Sequence, residues 1–212
     1  TFVSGVSQVG KPIILPATDP GSPRAMQHNY VDAMSIVKRF GKPDFFITMT
    51  ANPSWPEVRD SLREGETAAN RPDIVARVFR NKLRRLLDKL LNEHVLGKVV
   101  GYTWVIEFQK RGLPHAHILL IVQHCDKPQS PEDVDMRICA ELPDSHDPEQ
   151  SELLRILLSS QIHGPCGVRN PHAPCMEDGC CTKKFPKDFQ DTTELHAYGY
   201  PTYRRRESSQ RV

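Results

Sequence analysis

Val105-Ile-Glu-Phe-Gln-Lys-Arg-Gly-Leu-Pro-His-Ala-His-Ile-Leu-Leu-Ile-Val122 is the stretch on which the reading of this chain turns. Two apolar, β-rich runs, Val99 to Phe108 and His115 to Val122, flank a turn containing Gly112 and Pro114, which is the pattern of a β-hairpin. Side chains alternate along a strand, so His115 and His117 project from one face, and Glu107 near the end of the partner strand can lie beside them. Two imidazoles and a carboxylate leave coordination positions open, which suits a divalent ion that must also touch a substrate. The plainer alternative is a pair of histidines on a half-solvated strand. The cationic turn Lys110-Arg111 beside the trio weighs toward the metal.

Working outward, Ser22-Pro23 reads as an N-cap followed by proline at the first helical position. Met26, Tyr30, Ala33, Val37 and Phe40 then recur at helical spacing up to Gly41. Residues 44–50 are aromatic and β-branched, a buried strand. Ser54 and Glu57 predict a capping box for a short helix. Residues 72–92 form an amphipathic helix, apolar through Val75, Val78, Phe79, Leu83, Leu86, Leu87 and Leu90, and cationic through Arg77, Arg80, Lys82, Arg84, Arg85 and Lys89. Two more helices are expected near 131–140 and 148–161, opened by Ser130 and Asp147. After 162 periodicity stops. This order of elements predicts an α+β fold, an antiparallel sheet with helices on one face. The expected organisation is an N-terminal extended segment 1–22, a core 23–162, and a cysteine-rich, basic segment 163–212.

The chain has 212 residues and a formal charge of +2, too small a surplus to indicate nucleic acid by itself. No apolar run approaches the roughly 18 residues of a membrane span. Thr1 and the polar tail ending at Val212 suggest a piece of a longer protein. Four of the six cysteines fall between 166 and 181, near histidines, which fits a metal site in a reducing compartment better than a disulfide framework. His163, Cys166, Cys175 and Cys181 would supply one nitrogen and three sulfurs to tetrahedral zinc in a structural role. Cys180 competes for the last position, His172 is a further candidate, and the alternative is a loop of reduced thiols. Cys125 and Cys139 read as bystanders. For nucleic acid, Thr48, Thr50 and Asn52 offer polar contacts, as do Lys110 and Arg111. Lys183, Lys184, Lys187 and Arg204 to Arg206 could follow phosphates, and Phe46, Trp55 or Tyr102 could stack on bases.

The string Glu107-Phe-Gln-Lys-Arg-Gly-Leu-Pro-His-Ala-His117 resembles the His-hydrophobic-His motif of the HUH single-strand endonucleases, the Rep-type rolling-circle initiators and transposases, and its Helitron version in particular. The likeness continues through Gly21-Ser-Pro-Arg24, Phe40-Gly-Lys-Pro43, Phe46-Ile-Thr-Met-Thr-Ala-Asn-Pro-Ser-Trp55, Arg71-Pro-Asp73, Arg77-Val-Phe79, His163-Gly-Pro-Cys166, Pro174-Cys-Met176, Lys184-Phe-Pro-Lys187 and Gly199-Tyr-Pro-Thr-Tyr-Arg-Arg205. The family's Cys-x-Lys-x-Phe-Pro pattern favours Cys181 over Cys180. The resemblance implies an HUH-type central antiparallel sheet and a Mg²⁺ or Mn²⁺ site at Glu107, His115 and His117. It implies nicking and rejoining of single-stranded DNA at transposon ends in the nucleus, and a helicase C-terminal to this segment in the same polypeptide. It also implies two tyrosine nucleophiles one helical turn apart. Tyr30, Tyr102, Tyr198, Tyr200 and Tyr203 contain no such pair, so the nucleophiles are expected beyond Val212. No phosphate-binding Walker loop occurs in the segment. Two other readings stay open: a non-catalytic DNA-binding or zinc module attached to a helicase, and a metal nuclease that activates water.

Overall fold

In the computed structural model, which describes residues 13–108, 112–197 and 199–207, the hairpin forms two strands of a three-stranded antiparallel sheet, its second strand in the middle. Strand β1 is Phe45–Thr50, β2 is Val99–Phe108 and β3 is Pro114–Val122, in the order β1-β3-β2. Register pairs Thr50 with His115 and Thr48 with His117 on one side of β3. On the other side Glu107 pairs with His115 and Val105 with His117. The alternation along β3 is plain: Pro114, Ala116, Ile118 and Leu120 are buried, while His115, His117 and Leu119 are half-exposed.

Two longer helices cover the sheet. Helix α3, Pro72–Leu91, follows Pro72 at its first turn and buries Val75, Phe79, Leu83 and Leu90. It packs on β3, where Ala116, Ile118 and Leu120 lose all solvent contact. Helix α1, Pro23–Phe40, begins at Ser22, whose hydroxyl accepts the Ala25 N–H, and ends at Gly41. Its C-terminal turns reach the other face at Gly101, where a Cβ would stand 3.0 Å from Ile36 and 3.1 Å from Phe40, so helices lie on both faces of the sheet and not on the single face expected. Gly101 is therefore the gap through which α1 approaches the sheet. The packed side of α1 runs through Ala25, Ala33, Ile36 and Val37, and Met26 and Tyr30 face outward.

The expected capping box at Ser54 is not formed. Helix α2, Pro56–Arg59, starts from Trp55, and Ser54 instead gives its N–H to the Asn52 side chain. An Asx turn competes successfully with the cap for a helix of one turn. The helix expected near 131–140 stops earlier, as α4, Pro131–Asp135, with the Ser130–Asp133 capping box in place. Helix α5 is Pro148–Ser160, with Asp147 as its N-cap.

The chain divides into two compact units, Thr1–Lys127 and Pro128–Val212. The first holds the sheet and nearly all of the apolar core. In the second, Val134 and Ala173 are the only buried apolar residues among those described. Polar bonds do the corresponding work there. Thr193, itself buried, donates to Asp135 and accepts the Arg204 N–H; Arg204 pairs with Asp135 at 3.1 Å; and Arg206 makes a two-pronged contact with Glu141 at 2.8 and 2.9 Å. The Arg206 guanidinium holds the Glu141 carboxyl at about 2.

Candidate metal centres and the open sheet face

The face of the sheet opposite α3 carries Phe46, Thr48 and Thr50 from β1, His115 and His117 from β3, and Val105 and Glu107 from β2. Strand alternation and antiparallel register suffice to gather them. The two imidazole centroids lie 4.5 Å apart, nearly perpendicular. The Nε2 atom of His117 is 3.5 Å from a Glu107 carboxylate oxygen. The Thr50 hydroxyl shares a 2.6 Å hydrogen bond with Nδ1 of His115, and the Thr48 hydroxyl stands 3.5 Å from Nδ1 of His117. The Phe46 ring, half-exposed, is stacked on His117 at 5.3 Å. This surface joins two nitrogen donors, one carboxylate and an aromatic plane, and it opens to solvent.

The residues expected to touch nucleic acid distribute unevenly. Thr48 and Thr50 belong to this face, with their hydroxyls directed at the histidines. Asn52 is engaged in its turn with Ser54. Lys110 and Arg111 lie outside the described residues. Tyr102 pairs with Leu120 and so points to the opposite face from the histidines. Trp55 sits against Lys82, whose ammonium is 5.1 Å from the indole and 2.7 Å from Glu57. On α3, Arg77, Arg80, Arg84 and Arg85 remain exposed.

The second unit contains a tighter cluster. One ligand atom each from His163, Cys166, Cys175 and Cys181 lies within 4.8 Å of the others, and this is the single His/Cys/Asp/Glu group gathered so closely among the described residues. The Glu107–His115–His117 trio is looser. Local structure explains the cysteine pair. Strands β4, Met176–Glu177, and β5, Cys180–Cys181, pair antiparallel around Asp178-Gly179, both with positive φ (49° and 77°). An Asp-Gly two-residue hairpin folds Cys180 and Cys181 back beside the chain that follows Cys175, and of the two it is Cys181 that joins the cluster. That Asp-Gly signal is present in the sequence and marks the hairpin, though the irregular spacing of the cysteines conceals it. His172 is outside the group.

Nδ1 and Nε2 of His163 are fixed by a ring stack on Phe185 at 4.2 Å and by a 3.3 Å contact of Nε2 with the Cys181 sulfur. Backbone N–H groups of Phe185 and Lys183, together with His163, hold the Cys181 thiol down at about 6. Burial, with the neighbouring Cys175 and Cys181 thiols, pushes Cys166 up to about 11. Three sulfurs and one imidazole nitrogen gathered this closely, with one acidic thiol among them, fit a cation bound by thiolates. The cluster could hold a metal such as zinc.

No curated protein matches the chain significantly. The family model described as the Helitron helicase-like domain at the N-terminus matches residues 4–120, which takes in α1, all of β2 and both histidines of β3. A match over more than half of the 212 residues settles membership: the chain belongs to the Helitron helicase-like N-terminal domain family.

Proposed function

We propose that this chain is the HUH-type, Rep-like endonuclease segment of a Helitron-type rolling-circle transposase, nicking and rejoining single-stranded DNA at transposon ends. The observation that carries the reading is the convergence of His115, His117 and Glu107 on an open sheet face. Their donor set fits a divalent cation: two imidazoles and one carboxylate favour Mn²⁺, and Mg²⁺ is tolerated through the carboxylate and water. Such an ion, when bound, supplies positive charge against the oxygens of the scissile phosphate. The chain's own side chains present the ligands, hold the imidazoles in place from β1, and offer Phe46 as a plane beside a flipped-out base.

The nucleophile is a tyrosine beyond Val212, the first of two on one helix. Its oxygen forms a bond to phosphorus as the P–O3′ bond breaks. The 3′ oxygen leaves and takes up a proton, giving a 5′-phosphotyrosine and a free 3′-OH. Rejoining reverses these bonds. A helicase following in the same polypeptide would supply the single strand, and a transposase of nuclear DNA would act in the nucleus. The family match to a Helitron helicase-like N-terminal domain supports the first of these expectations. The expected organisation, an N-terminal extension 1–22, a catalytic core 23–162 and a cysteine-rich appendage 163–212, belongs to the same reading. In that appendage His163, Cys166, Cys175 and Cys181 hold structural zinc, and their mutual proximity supports this. Asn52, Lys110 and Arg111 remain part of the proposed DNA path, alongside Thr48 and Thr50.

The experiment extends the chain through the paired tyrosines and incubates it with a labelled single-stranded transposon end and Mn²⁺. A covalent adduct that survives denaturing gels, and is lost in the His115→Ala/His117→Ala variant, is the expected result. Strand cleavage with no adduct would instead favour a nuclease that activates water. Binding with neither cleavage nor adduct would favour a non-catalytic module.

A further inference from the structure

We propose that Thr50, with Thr48 in a lesser part, is a positioning residue that selects Nε2 as the metal-facing nitrogen of the β3 histidines. This rests on the metal reading of the same face. Strand β3 is central, so each histidine has one neighbour on β1 and one on β2. Thr50 lies across from His115 on the β1 side, and Glu107 lies across from it on the β2 side. On the β1 side the Thr50 hydroxyl occupies Nδ1 of His115 at 2.6 Å. In His117 the same polarity holds: Nδ1 is toward Thr48 at 3.5 Å, and Nε2 is toward Glu107 at 3.5 Å. Both rings therefore turn Nδ1 to β1, and in His117 Nε2 lies on the side where the carboxylate is.

A neutral imidazole has one N–H and one lone pair. A histidine that gives its Nε2 lone pair to a cation must carry its proton on Nδ1, and that N–H needs an acceptor. The Thr50 oxygen is placed to be it. Outer partners of this kind fix the ring orientation and the tautomer of metal-ligating histidines. The Thr-x-Thr spacing of β1 matches the His-x-His spacing of β3 because both strands share a two-residue period, which supplies one hydroxyl per imidazole. The shorter of the two contacts assigns the larger share to Thr50.

The test compares the 212-residue wild type with Thr50→Val, Thr50→Ser and Thr48→Val by Mn²⁺ titration. It adds ¹⁵N spectra of the His115 ring in the Mg²⁺-saturated protein. Valine keeps the size and β-branching of threonine and removes the oxygen. Thr50→Val should weaken Mn²⁺ binding about 10- to 100-fold, the range seen when outer partners of metal ligands are removed. Thr50→Ser should stay close to wild type and Thr48→Val should lose less than Thr50→Val. The His115 ring should carry its proton on Nδ1 in the Mg²⁺ form. Wild-type affinity in Thr50→Val, or a proton on Nε2 of His115, overturns the assignment even if His115→Ala/His117→Ala abolishes binding. Equal Mn²⁺ uptake by wild type and that double variant removes the metal reading itself, and this inference falls with it.

Discussion

At the residue scale, the zinc-type cluster depends on which of two adjacent cysteines turns inward. Cys181 pairs with Met176 across the two-residue hairpin, and Cys180 pairs with Glu177, so the two point to opposite faces. Cys181→Ser is expected to reduce zinc, measured by elemental analysis of purified protein, from about one ion per chain to a small residue. Cys180→Ser should leave it unchanged. Loss of zinc in both variants to the same degree would contradict this ligand set. The Cys166 thiol, pushed up to about 11, must also give up its proton on binding. Zinc uptake should therefore release protons and tighten as pH rises through the neutral range, which calorimetry in buffers of different ionisation enthalpy detects.

Glu141 gives a second residue-scale test, with the sign set by its depressed pKa. Held at about 2 by Arg206, against an ordinary value of 4.5, its carboxylate contributes stability that is present above about pH 4.5 and lost as pH falls toward 2. Thermal melts of Glu141→Gln should lie below wild type at neutral pH. The gap should close across that acid window. A constant difference from pH 6 to pH 2 would show that the carboxylate charge is not what Arg206 reads.

At the element scale, the strands and long helices were legible in the sequence because each has a strong local signal. The hairpin showed its alternation, α3 its apolar stripe, and α1 its Ser22 and Gly41 ends. The packed side of α1 was not legible. Met26 and Tyr30 share its helical period with Ala33 and Val37, and only the glycine gap at 101 decides which side meets the sheet. Gly101→Val should drive a side chain into Ile36 and Phe40 and cost about 1–3 kcal/mol in denaturant unfolding. A melt unchanged from wild type would mean that α1 is not seated there. Short elements were read less well. The Asx turn at Asn52 and the early end of α4 depend on single hydrogen bonds that no periodicity announces. The pairing of the Thr48 and Thr50 hydroxyls with the histidines was hidden for a different reason, since it exists only once register is known.

At the scale of the whole molecule, the two units differ in what holds them. The first buries a continuous apolar set from α3 and the sheet, and the second has two buried apolar residues among those described, a salt-linked loop and the cysteine cluster. Small segments with little core commonly draw folding free energy from a metal. Chelation should then raise hydrogen exchange at 163–182 and leave β1, β2 and β3 protected. Exchange that rises equally in both units would contradict the division of labour. On the proposed DNA-binding reading, single-strand binding through phosphate contacts should weaken with salt by a log–log slope of about 0.7 per neutralised phosphate, and binding indifferent to salt would contradict it.

Mn²⁺ calorimetry on the zinc-loaded chain shows whether the open sheet face is a cation site. One equivalent of Mn²⁺ should bind the wild type. It should be lost in His115→Ala/His117→Ala and strongly weakened in Glu107→Gln, with the zinc content of all three proteins unchanged. Equal Mn²⁺ binding by wild type and the double histidine variant, or none by any of them, would contradict the account.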